Sequence, residues 1–170
     1  MKNVAKLLFI SALLVAGSVV TAQDLKFGHI NSSRLVTMMP EFEEAQKKLE
    51  AEIQELSETL EALQAEYQSK LQDFIEKQEA LSNTVRQLRE RELRELQNRI
   101  QEFQMGAQED IQIRERQLMQ PIHEKIERSI TEVARERGYI YVFDLDAGGL
   151  LYFSDQSEDV LPFVRENMGI

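Results

Sequence analysis

The sequence predicts an α+β chain in which a small β-sheet body, built from both ends, carries one long protruding antiparallel helical hairpin. Three observations predict it. Apolar residues recur at spacings of three and four for almost a hundred residues beyond Glu41, short aromatic and β-branched runs stand on either side of that stretch, and turn-forming residues separate the parts.

The first segment, "MKNVAKLLFISALLVAGSVVTAQD", has Lys2 and Lys6 ahead of an apolar run from Leu7 to Ala16 and a small-residue exit at Val20, Thr21 and Ala22. It reads as a secretory signal spanning 1–22 and cut after Ala22, which places the mature chain outside the cytoplasm. The chain has no cysteine, so disulfides and thiolate metal sites are excluded. "LKFGHI" follows, with Leu25, Phe27, His29 and Ile30 in a strand-like run. It is expected to lie at the edge of the body, whose two pieces are 23–40 and 138–170.

The arm is assigned to 41–137. Pro40 suits a helix entrance, where its missing N–H costs nothing, and Glu41, Glu43 and Glu44 favour the first turn; Thr37 is an alternative cap. Leu49, Ile53, Leu56, Leu60, Leu63, Tyr67, Leu71 and Phe74, then Gln78, Leu81, Val85 and Leu88, keep the spacing of a coiled-coil seam. Ser82, Asn83 and Thr84 interrupt it with side chains that compete for backbone groups and can cap a second helix, so the tip is expected near 82–85. Two arms of roughly 60 to 75 Å result. The return arm carries Leu93, Leu96, Ile100, Phe103, Ala107, Ile111, Leu118, Ile122, Ile126, Ile130 and Val133, diluted by glutamines, Gly106 and Pro121. Pro121 is expected to kink it where it meets the body.

Gly138 is the expected stop for that helix. Tyr139 to Leu145 and Leu150 to Phe153 read as two strands of a hairpin turning at "DAGG", and a last helix is expected over 157–167, capped by Ser157 or Asp155. A two-stranded ribbon is marginal alone, which calls for Leu25 to Ile30 as a third strand. The body then has about 50 residues, too few for a comfortable core, so oligomerisation is expected to complete it. Leu25, Phe27, Ile30, Ile140, Val142, Phe143, Leu151 and Phe153 are the expected oligomerisation residues.

The net charge is −10, and removing Lys2 and Lys6 makes it −12. That argues against a general nucleic-acid binder, which needs a positive field, and disfavours contact with an anionic membrane surface. Glu41 to Leu81 holds 12 acidic and 4 basic residues, whereas Ser82 to Arg137 holds 11 of each. Arg86, Arg89, Arg91, Arg94 and Arg99 give the tip a modest basic character, which could meet an acidic partner or form an ordinary solvated face. No catalytic or metal constellation emerges. His29 and His123 lack motif-spaced partners, "DLDAGG" lacks the later ligands of a calcium loop, and Ser32, Ser33, Ser154 and Ser157 lack a nucleophile context. No cofactor is expected. What remains is binding: Tyr67, Phe74, Phe103 and Met105 are candidate client contacts, with helix–helix packing the competing reading for each.

The order of "GHINSSRL", an acidic and glutamine-rich helical hairpin, "ERGYIYVFD", a glycine turn, "LLYFSD" and "SEDVLPFV" resembles the Skp/OmpH family of periplasmic chaperones over essentially the whole mature chain. The resemblance implies a jellyfish-like homotrimer with the strands in a central body and the helical hairpins as tentacles. It also implies an ATP-independent holdase for unfolded outer-membrane β-barrel proteins, preventing aggregation until transient contact with the outer-membrane assembly machinery, and no catalytic residue. The charge departs from the basic relatives, so lipopolysaccharide binding is not carried over. A structural or regulatory periplasmic coiled-coil adapter with one fixed partner is the alternative, and the strand-forming ends disfavour it.

Overall fold

The computed structural model describes residues 25–170, so the expected signal segment lies outside the described residues. The chain runs β1 (Lys26–Ile30), α1 (Ser32–Val36), α2 (Pro40–Lys77), α3 (Asn83–Arg137), β2 (Tyr139–Asp144), β3 (Glu158–Asp159) and α4 (Leu161–Met168). The fold is α+β. Its sheet has the order β2-β1-β3 with both pairs parallel, so β1 is the central strand and not the edge the sequence suggested.

Parallel pairing dictates the rest of the architecture, because a chain leaving the end of β1 must travel back before it can enter β2 beside the start of β1. The two long helices are that crossover. α2 has 38 residues and α3 has 55. The ion pair Glu41–Lys125 sets the start of α2 beside Lys125, so the last turns of α3, from Ile126 to Arg137, run on past that start and carry the chain back along the sheet. Ile122 lies level with the first turns of α2, Ile126, Ser129 and Val133 lie on the run beyond them, and all four are buried. Arms of equal length would suit antiparallel strands.

Pro40 stands in the first turn of α2 with Met39 as its cap residue, and Thr37 instead closes α1. Ser82 caps α3, its hydroxyl accepting the Val85 N–H at 3.4 Å, and the turn occupies 78–82, slightly ahead of the expected tip. α3 runs on through Pro121 without interruption. Gly138 ends it in the left-handed conformation at φ 72°, where its N–H returns to the carbonyls of Ala134 and Arg135. The two helices pack antiparallel, as the ion pairs Glu41–Lys125 and Glu52–Arg114 across them show.

Inside the body, Ile30, Leu35, Val36, Met39, Ile122, Ile126, Val133, Val160, Leu161 and Val164 form one core. Gly28 sits over Val160 and Tyr139, where a side chain would collide. Ser129 donates to the Asn167 Oδ1 at 2.6 Å and the Arg137 guanidinium lies 3.4 Å from the Phe163 ring centre, so α4 is fastened to the end of α3.

Three local expectations are corrected. Leu150 to Phe153 is not a strand; the third strand is the two-residue Glu158–Asp159, whose neighbour Val160 donates its N–H to the His29 carbonyl at 2.9 Å. "DAGG" is therefore not a hairpin turn. Its Asp146, with Asp144 at the end of β2, latches the exit of β2 to the start of α1: Asp144 accepts from the Ser32 hydroxyl at 2.5 Å and Asp146 from the Ser33 N–H at 3.0 Å. The last helix begins at Leu161, not 157, because Ser157 and Glu158 are drawn into the sheet region; Asp159 accepts the Leu161 N–H at 2.9 Å.

Candidate functional site

Strand alternation gives the sheet two faces of different character. Gly28 and Ile30 point inward, and Phe27 and His29 point outward beside Tyr141 and Phe143 of β2. A register shift after Lys26 leaves Ile140 as an extra residue, which keeps both Tyr139 and Val142 turned to the core. The outward face is aromatic, and within the chain only the Phe153 loop lies across it. Phe27 stacks on Tyr141 with ring centres 6.3 Å apart, Tyr141 contacts Phe143 at 5.9 Å, and Phe153 stacks on His29 at 4.2 Å. Nδ1 of His29 and the Ser157 hydroxyl share a hydrogen bond of 2.9 Å, which pins the Phe153 loop across β1.

Of the residues expected in oligomerisation, Phe27, Phe143 and Phe153 lie on this face, with Leu25, Ile140 and Leu151 exposed around the body. Leu151 is completely exposed. Ile30 and Val142 instead face the chain's own core. Tyr141 was missed as a candidate, although its register opposite Phe27 places it at the centre of the face; the bulge at Ile140 hid that register from a simple alternation.

At the other end of the molecule, the seam between α2 and α3 is thin. Leu93 and Leu96 are the buried apolar residues of the arm away from the body core, while Tyr67, Phe74 and Phe103 are half-buried between the helices. Ile53, Val85 and Leu88, read from spacing as seam residues, are exposed. Arg114 takes the vacant seam position between Ile111 and Leu118 and meets Glu52 at 2.9 Å. With Ile75, Ile113 and Met105 also open, apolar side chains are scattered along an arm otherwise covered by Glu, Gln, Lys and Arg.

The arginines near the tip are not a single patch. Arg89 is held by Glu92 at 2.8 Å and Arg94 approaches Glu90 at 3.9 Å, whereas Arg86 is partly buried toward α2; Arg91 and Arg99 are exposed. His123 lies exposed on α3, far in sequence from His29 in the sheet. Among the described residues, no group of three or more His, Cys, Asp or Glu side chains converges to hold a metal ion, and no helix is long and apolar enough to cross a membrane.

One ionised cluster locks the three strands together. Glu158 accepts from the Tyr139 hydroxyl at 2.5 Å and pairs with Lys26 at 2.9 Å, while the Lys26 ammonium lies 4.3 Å from the Tyr139 ring centre. Tyr139 and Lys26 hold the Glu158 carboxyl below the usual carboxylate range. Burial, and then donation to Glu158, raises the Tyr139 phenol.

An aromatic sheet face at one end and a long, thinly sealed helical pair at the other leave apolar side chains exposed at both ends of the molecule, with no catalytic or metal constellation among the described residues. The family model described as outer membrane protein (OmpH-like) matches residues 26–168, and the chain belongs to this OmpH/Skp family of non-catalytic periplasmic chaperones. No curated protein matched the chain in sequence comparison.

Proposed function

We propose that this chaperone is an ATP-independent holdase that assembles as a homotrimer and shelters unfolded outer-membrane β-barrel proteins between its helical arms. The body, 23–40 with 138–170, is the assembly unit in this reading, and the arm, 41–137, holds the client with Tyr67, Phe74, Phe103 and Met105 among its contacts. The observation that carries the reading is the arm itself: over two helices of 38 and 55 residues, Ile53, Ile75, Val85, Leu88, Met105 and Ile113 are each more than a third exposed at separate points along its length. Many weak contacts of that kind suit a chain without fixed structure, since they require no particular client sequence and re-form as it moves. Outer-membrane clients are supported by the family, and delivery to the assembly machinery of that membrane follows from the same reading.

The arm charge shapes how capture works. α2 is strongly acidic, and the arginines of α3 at Arg89 and Arg94 are engaged by neighbouring glutamates. Holding therefore rests on apolar contacts and hydrogen bonds, and lipopolysaccharide is not proposed as a ligand. Light-scattering mass of the purified protein, alone and with an unfolded β-barrel protein, tests the reading. A trimer that gains one client and keeps it through moderate salt is expected. A dimer, or no gain in mass with several clients, would overturn it.

A further inference from the structure

We propose that Met105 is an oxidant-sensitive modification site, and that its conversion to the sulfoxide weakens client holding. The chain contains six methionines and no cysteine, so no thiol competes for a peroxide and the thioethers are the most readily oxidised side chains present. The structure ranks the five among the described residues sharply. Met39 is 2 % exposed in the body core, Met119 and Met168 are half-buried, Met38 is 36 % exposed, and Met105 is 67 % exposed. Met105 stands two residues from each of the seam positions Phe103 and Ala107, which turns its side chain away from α2. Its neighbours on that face are Gln101, Gln104 and Gln108, which frame the thioether without covering it.

The chemistry is closed by a two-electron oxidant of the peroxide class. The sulfur lone pair takes one peroxide oxygen, the O–O bond breaks, sulfide becomes sulfoxide, and the remaining oxygen leaves as water. An apolar, polarizable group thereby becomes a strong dipole that prefers water to an aromatic or aliphatic client side chain. The functional half rests on the proposed holdase reading. Because Met105 packs against no core residue, the modification alters the arm's surface and leaves the fold intact.

Limiting hydrogen peroxide, followed by peptide mass spectrometry, tests the site. The peptide bearing Met105 is expected to gain one oxygen before any peptide bearing Met38, Met39, Met119 or Met168; equal or earlier oxidation of another described methionine would overturn the assignment. Client holding is then compared before and after peroxide for the parent, Met105→Leu and Met38→Leu, each against its own untreated sample, with circular dichroism to verify folding. A loss of about two- to tenfold, the range expected from one sulfur contact, is expected in the parent and in Met38→Leu but not in Met105→Leu. The same loss in Met105→Leu would overturn the link to holding. A parent that holds no client before treatment would sink the holdase reading while leaving the order of oxidation measurable.

Discussion

Gly28 lies where the central strand passes closest to its cover: a Cβ there would stand 2.7 Å from the Val160 Cγ1 and 3.3 Å from the Tyr139 ring. Val160 is fully buried and cannot move aside without disturbing the core. Gly28→Ala should therefore destabilise the body by about 1–3 kcal/mol through overpacking, seen as a lower thermal midpoint. Adding Val160→Ala should recover part of the loss, since it opens the space the new methyl needs; two strictly additive losses would refute the contact. A second prediction concerns acid. Tyr139 and Lys26 keep the folded-state pKa of Glu158 below its ordinary value of 4.5, so the ionised carboxylate favours the native state above that value and the benefit fades as pH falls through the folded one. Lys26 is raised by the same partner, and its contribution fades only in strong alkali. Glu158→Gln should flatten the fall in thermal midpoint between about pH 5 and pH 3 relative to the parent. An unchanged slope would show that other carboxylates govern acid unfolding.

At the scale of elements, the arm and its ends are the part most open to prediction by sequence, because helical period, Ser82 and Gly138 are local signals that act within a few residues. The sheet is the part least open to it. β3 is the charged pair Glu158–Asp159, which has no strand composition and is held by pairing with Gly28 and His29. Leu150 to Phe153 has that composition but pairs with neither edge strand of the sheet, and Leu151, Tyr152 and Phe153 remain exposed. α1 leaves little local signal, because its stabilising partners Asp144 and Asp146 lie more than a hundred residues away. For the candidate site, spacing revealed that the arm has a seam but not how open it is: Ile53 and Val85 keep the period yet lie on its outer flank. The arm also carries a testable weakness. A Cβ at Gly106 would meet nothing within 4 Å, and the residue sits inside α3. Gly106→Ala should then stabilise α3 by about 0.5–1 kcal/mol, by restricting the unfolded backbone, with slower amide exchange around residues 100–112. No change in exchange there would mean the arm opens elsewhere.

For the whole molecule, the decisive asymmetry is between the two faces of the sheet. The inner face is filled by α1, the end of α3 and α4, whereas the outer face has only the Phe153 loop lying across His29 and leaves Phe27, Tyr141, Phe143 and Phe153 exposed. Apolar area of this kind is retained when a partner surface covers it, and a body with so small a core gains most from another copy of itself. Charge on the two faces should therefore act differently. Asp in place of Ile30, which is 1 % exposed, puts a carboxylate into the chain's own core and should unfold the body. Asp in place of Phe27 or Tyr141 leaves that core intact, because neither ring belongs to it. These two variants should keep the parent's helical signal by circular dichroism yet sediment as single chains, and the pair Phe27→Asp with Tyr141→Asp should do so at every concentration where the parent is assembled. Client holding should fall with assembly, since single arms enclose no space between them. If both variants sedimented as the parent does and melted at the same temperature, the aromatic face would not be the surface that joins the chains, and the exposed Leu151 loop would become the place to look.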